Sequence, residues 1–303
     1  MISAGANGVE GIAAGRIIAG LGAVGMSVLQ SKVIADWFTG PRFMLGISAS
    51  TAGYPIGVGL SQILVPGLSA GFGLGAAFLA GAAWMAISAV LFIAFYRAAP
   101  EMVGSPRGFS FPTGRECALL VIGGLIWTAY TGSYAGYLAY LPSLMSERGQ
   151  SLALIALVAT IATWGNVPGV FAGGGLANRF GAWRIFLFGS LCLVAGTVGA
   201  GALDWPVLFG ILIGVPGCMQ AGVIMAVGTL SARAEHRAAG MGVFYIVYYL
   251  GGAAIPAVCG WAADAYGGAE GAMFAAAAVG ALAVPIYMLH RRLAGHEAML
   301  ARA

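Results

Sequence analysis

Long apolar runs alternate with short polar or Pro/Gly-rich breaks along the whole chain, at residues 11–35, 43–65, 72–96, 117–142, 151–173, 185–203, 206–230, 239–262 and 270–289. Each run approaches the roughly 20 residues that a helix needs to cross about 30 Å of hydrocarbon. None shows the alternation over about 10 residues that a barrel strand would carry. Backbone N–H and C=O groups inside a bilayer must be satisfied within the segment, so the pattern predicts nine membrane-spanning helices in an all-α, polytopic bundle. The composition agrees, because 60% hydrophobic and 8% charged residues cannot be folded into a soluble core with a wettable surface. Fifty glycines fit close helix packing.

Charge then orients the bundle. Of 14 Lys and Arg residues, Arg42, Arg97, Arg107, Arg115, Arg179, Arg184, Arg233, Arg237, Arg291, Arg292 and Arg302 fall in alternate breaks. Those breaks are therefore expected in the cytoplasm, with the C-terminus. The opposite breaks hold Arg148 with Glu10, Glu147, Asp204 and Glu270, while Arg16 and Lys32 fall inside the first run. The break at 97–116, with Pro100, Pro106 and Pro112, reads as a linker between residues 1–96 and residues 117–303.

The two sides of that linker share a spacing. Gly15, Gly22, Arg42 and Gly57 are separated by 7, 20 and 15 residues, as are Gly210, Gly217, Arg237 and Gly252, so a shift of 195 superimposes them. Three spans precede Gly210 in its half and none precedes Gly15. A parallel repeat of six-helix halves would then expect about 80 further residues and three spans ahead of Met1. Polarity groups the runs by threes: 72–96, 185–203 and 270–289 carry no Asn, Gln or charged residue. Those three are expected at the periphery and the other six around an aqueous pathway.

Motifs along the chain resemble the major facilitator superfamily. Arg16-Ile17-Ile18-Ala19-Gly20-Leu21-Gly22 is similar to that family's fourth-helix Arg-x-x-x-Gly-x-Gly pattern, and Asp36-Trp37-Phe38 with Pro41-Arg42 resembles the exit into the next cytoplasmic loop. Gly174-Gly175-Leu176-Ala177-Asn178-Arg179-Phe180-Gly181-Ala182-Trp183-Arg184 is similar to the Gly-x-x-x-Asp-Arg-x-Gly-x-x-Arg loop between helices 8 and 9. The stretch from Arg237 to Gly267, with Gly240, Gly242, Pro256, Gly260, Asp264 and Gly267, resembles the eleventh helix, especially that of cyanate/nitrate-type permeases. The resemblance covers helices 4 to 12. It implies a permease, a secondary transporter in which two bundles rock about a central site, with a coupling proton or other ion, no cofactor and no nucleic-acid partner. It also implies a multi-pass protein of a bacterial inner membrane.

In that reading Gly174, Asn178, Arg179, Gly181 and Arg184 form the cytoplasmic gate. Asn178 stands where the pattern has Asp, so the latch loses a carboxylate. The antiporter pattern Gly-Pro-x-x-Gly-Gly is not reproduced, since the chain reads Gly53-Tyr54-Pro55-Ile56-Gly57-Val58-Gly59. Drug efflux is therefore the weaker alternative.

The candidate solute-binding residues are Arg16, Tyr54, Tyr130, Tyr134, Asn166, Gln220 and Tyr245. A guanidinium in the membrane costs roughly 2.5–3.5 kcal/mol on insertion scales and needs a partner or a wet cavity. Arg16 shares a stripe with Gly20, Ala23, Ser27 and Gln30, which would suit an anionic solute, or else it snorkels or pairs. Lys32 is read as an i,i+4 partner of Asp36. Trp127, Tyr130, Tyr134 and Tyr137 share one helical face, as a pathway wall or as packing. Asn166 and Gln220 are read equally as ligands and as interhelical bonds.

An enzyme is the reading the sequence counts against. His236, His290 and His296 all fall in expected cytoplasmic segments, leaving no imidazole for a membrane metal site or a nucleophile relay. Cys117, Cys192, Cys218 and Cys259 lack metal-ligand spacing. A fragment that does not transport remains a second reading.

Overall fold

In a computed structural model of the chain, residues 9–97, 99 and 110–295 are described. Arg107, Arg302, His296, Pro100 and Pro106 lie outside them. The described residues form helices α1 (Val9–Trp37), α2 (Pro41–Phe72), α3 (Leu74–Phe95), α4 (Gly114–Glu147), α5 (Leu152–Phe180), α6 (Ala182–Ala202), α7 (Pro206–Gly214), α8 (Gln220–Leu230), α9 (Arg237–Tyr266), α10 (Ala269–Ala281) and α11 (Ala283–Ala294). Among these residues, nine helical segments are long and apolar enough to cross a membrane, with α7 joined to α8 and α10 to α11.

The seventh and ninth spans are broken where the sequence pattern read continuous helices. Pro216 has no N–H to give the Leu212 carbonyl, and a 3-10 turn at Pro216–Cys218 separates α7 from α8. Side chains meet the carbonyls at this break: Cys218 Sγ lies 3.4 Å from Ile213 O, and Gln220 Nε2 donates to Gly217 O at 2.9 Å. The backbone of α5 lies against the broken segment, since a Cβ on Gly169 would stand 2.3 Å from Val215 O. Pro285 likewise withholds a donor from Ala281, the last residue of α10.

The breaks are shorter than the sequence suggested. The Gly174–Arg184 stretch is not a loop: α5 runs through Phe180 and α6 starts at Ala182, leaving Gly181 alone at φ +90° to turn the chain. Only glycine enters that region without strain. Similarly, α4 starts inside the expected linker, where Thr113 and Glu116 form a reciprocal capping box.

Contacts at the helix ends group the connectors. At one end Arg115 Nη2 donates to Leu293 O (2.9 Å), Trp37 Nε1 to Arg97 O (3.1 Å), and Arg291 lies over the Trp183 ring. At the other end Arg148 donates to the carbonyls of Ala200, Gly201 and Leu203 and pairs with Glu270, while Gln150 meets Asp204. The described members of the basic breaks thus share one end, and the acidic breaks share the other. Lys32 pairs with Asp36.

Helix α3 buries no residue, as expected of a peripheral span. In contrast, α6 and α10 bury Phe186, Leu193, Met273 and Ala276 on one face against their neighbours, while α6 exposes Phe188, Leu191 and Val198 on the other. Helices α1 and α2 meet the rest through α1 against α9 and α2 against α5 and α8. Under the shift of 195, α1 corresponds to α7–α8 and α2 to α9. The α1–α9 and α2–α8 contacts therefore exchange with each other.

Candidate functional site

A cavity of about 360 Å³ lies between the two groups of helices, within the range of small-molecule sites. Its wall comes from six spans: Ser27, Gln30 and Ser31 of α1, the Ser50–Pro55 stretch of α2, Trp127 to Ala135 of α4, Asn166 of α5, Ala221 and Met225 of α8, and Tyr245, Tyr248 and Tyr249 of α9. Helices α3, α6 and α10 contribute nothing to it. Ser50 lies nine residues into α2, about 14 Å at 1.5 Å per residue, which is close to half a bilayer core.

The cavity is closed toward the basic end. There Phe43, Ile47 and Ala35 bury themselves among Leu120, Met225, Ala226, Met241 and Phe244. Ser48 is the innermost knob. It is fully buried, its Oγ has no hydrogen-bond partner, and a Cβ on Gly174 or Gly222 would stand 2.3 or 2.1 Å from that oxygen. Toward the acidic end α2 separates, and residues 61–67 are exposed.

The cavity gathers Tyr54, Tyr130, Tyr134, Asn166 and Tyr245 of the residues expected to bind solute, with Asn166 beside both Tyr130 and Tyr134. Trp127 joins them, whereas Tyr137 is fully buried away from the wall. Gln220 is not at the wall. It is fully buried and accepts from Ser190 Oγ at 2.7 Å, bracing the broken helix. Arg16 is also outside the cavity. It is exposed, eleven residues from Ser27, so it sits about 16 Å toward the acidic end and within about 20° of the same helical face.

Among the expected gate residues, Gly174 receives Ser48, and Asn178 Nδ2 donates to Pro41 O at 2.9 Å, joining α5 to the start of α2. A carboxylate could not make that bond, so the Asn departure supplies a donor instead of a charge. Arg179 lies over the Phe180 ring, and Gly181 serves the turn. Arg184 stands in the first turn of α6 and takes no part in this contact.

Two groups escaped sequence reasoning. Tyr249 lines the cavity beside Tyr245 and Tyr248, an i, i+3, i+4 set visible in the sequence. Glu116 is buried at the basic end, where it accepts from Thr113 N and Arg233 N and meets His236 Nδ1, all at 2.8 Å. The Thr113-x-x-Glu116 capping signature was its sequence signal.

A comparison with curated proteins finds no match. The family model described as Major Facilitator Superfamily matches residues 1–256 and, again, 122–298. These two regions together span nearly all of the nine-span bundle, and the chain belongs to the Major Facilitator Superfamily, a family of membrane transporters.

Proposed function

We propose that the chain carries a small solute across the bilayer by alternating access, with the 360 Å³ cavity as its binding site. The observation that carries this reading is the position of the cavity: mid-helix on six spans, sealed at one end by Ser48 between Gly174 and Gly222 and accessible from the other. With the basic end in the cytoplasm, the conformation is outward-open. The contacts of α2 with α5 and α8 would part to give the inward-open form. Tyr130, Tyr134, Asn166, Tyr54 and Tyr245 hold the solute in this reading. Arg16 acts from the vestibule, where its charge faces water, and Gln220 holds the broken span in shape.

The anionic solute expected from Arg16 has less support at the cavity, where the described lining residues include no Lys, Arg, Asp or Glu. The correspondence to helices 4 to 12 of the family and to the cyanate/nitrate branch rests on the motifs alone.

Side-specific labelling tests the reading without knowledge of the solute. In a background with the four native cysteines replaced by alanine, Ser50→Cys is expected to react with a membrane-impermeant thiol reagent added outside. The same reagent added inside should react at least tenfold more slowly. Equal labelling from both sides, or labelling from the cytoplasm alone, would reject the outward-open assignment.

A further inference from the structure

We infer that the peripheral corner at the basic end, where the α5–α6 turn meets the end of α11, holds the headgroup of an anionic phospholipid. This surface is separate from the solute cavity and does not depend on the carrier reading. Three observations converge on it.

The first is a platform of rings that carries cations. Phe186 of α6 and Tyr287 of α11 are fully buried and stack with centroids 4.1 Å apart. Trp183 packs on both, at 5.9 and 5.4 Å, and the Arg291 guanidinium lies over the Trp183 ring, 5.0 Å from its centroid. A guanidinium held by an aromatic face keeps its N–H edge free for another partner. Arg184 follows Trp183 in the first turn of α6, and Arg292 follows Arg291 in the last turn of α11. Across the Gly181 turn, Arg179 lies over the Phe180 ring. Arg291 is half-buried and the other three arginines are exposed.

The second is that no carboxylate answers these charges. Among the described residues the ion pairs are Lys32 with Asp36, Arg148 with Glu270 and His236 with Glu116, and none uses an arginine of this corner. Four like charges gathered at the basic end attract an anion from the adjoining leaflet. Their planar forks match the oxygens of a phosphate.

The third is the apolar surface one turn deeper, which decides the kind of anion. Helix α6 runs away from the basic end, and Phe188 and Leu191 share the face of Arg184 at i+4 and i+7. Helix α11 runs toward that end, and Met288 and Leu289 stand one turn before Arg292. All four apolar side chains are exposed. Charge at the rim with hydrocarbon beneath is the order of a phospholipid, whereas a free phosphate or an acidic peptide would leave the deeper surface unused. Arg233 lacks this order, since α8 beneath it is buried from Gln220 to Thr229.

Native mass spectrometry of the purified protein in a neutral detergent tests this, with phosphatidylglycerol and phosphatidylcholine of identical acyl chains as probes. The first phosphatidylglycerol is expected to bind at least tenfold more tightly than phosphatidylcholine. Arg184→Gln combined with Arg291→Gln should bring it down to the affinity of phosphatidylcholine, while Arg233→Gln should change it by less than twofold. Arg179→Gln combined with Arg292→Gln alters only exposed side chains and should weaken phosphatidylglycerol severalfold, which keeps the test open if the first pair fails to fold. Equal affinity for the two lipids would overturn the assignment, as would unchanged binding in a folded double variant or an equal loss in Arg233→Gln. Displacement of phosphatidylglycerol by inorganic phosphate or by polyglutamate would overturn it too, in favour of a small-anion or an acidic-peptide site.

Discussion

Replacing Gly222 with leucine is expected to reverse the side from which the cavity is reached. A Cβ at this position would stand 2.1 Å from Ser48 Oγ and 3.3 Å from Ser48 Cα, so no swing of the serine side chain makes room. Overpacking of this kind costs about 1–3 kcal/mol. Since the contact exists only when the basic end is shut, that cost falls on the closed form and favours the open one by roughly 5- to 150-fold. In the Ser50→Cys background, Gly222→Leu should raise labelling from the cytoplasm and lower it from outside. Ser48→Ala should act in the opposite sense. The Ser48 hydroxyl has no partner in the closed form and gains water on opening, so its removal relieves a penalty of about 1–3 kcal/mol carried by the closed form. A folded Gly222→Leu protein still labelled only from outside would refute the gate.

Removal of the Glu116 carboxylate is expected to give the largest loss of stability outside the cavity. Glu116→Ala strips the partner from two backbone N–H groups and from His236, at a site where both side chains are about nine-tenths buried. The loss should be about 2–4 kcal/mol, the range for orphaning several donors of a buried carboxylate. Thermal unfolding in detergent measures it. Glu116→Gln keeps an acceptor for Arg233 N and should recover part of the loss. An unchanged midpoint for the alanine variant would show that the tie between α4 and the start of α9 contributes nothing.

The nine spans were legible in the sequence because hydrocarbon imposes a length on each apolar run and forbids unsatisfied backbone within it. The aromatic face of α4 was legible for a related reason: Trp127, Tyr130 and Tyr134 recur at the helical period and do line the cavity. Asn166 and Gln220 could not be told apart. Each is one amide in an apolar helix, and only the neighbour decides its use, a cavity for Asn166 and the Ser190 hydroxyl for Gln220. Arg16 posed the same difficulty along a different coordinate. It shares a helical face with Ser27, but height along the helix separates a vestibule from a binding site. The interruption at Pro216 was hidden among glycines and prolines that elsewhere, as at Pro55 and Pro168, leave the helix running.

The Asn178–Pro41 bond has a consequence for how the shut end responds to its surroundings. A bond between an amide and a carbonyl carries no net charge on either partner, so mobile ions around the headgroups have little to screen. The contribution of this bond should then be nearly constant from dilute buffer to molar salt, so that Asn178→Ala changes the opening rate by the same factor at both in a stopped-flow measurement. Substituting aspartate at position 178 would lose the donor and introduce ionic-strength dependence where the natural residue has none.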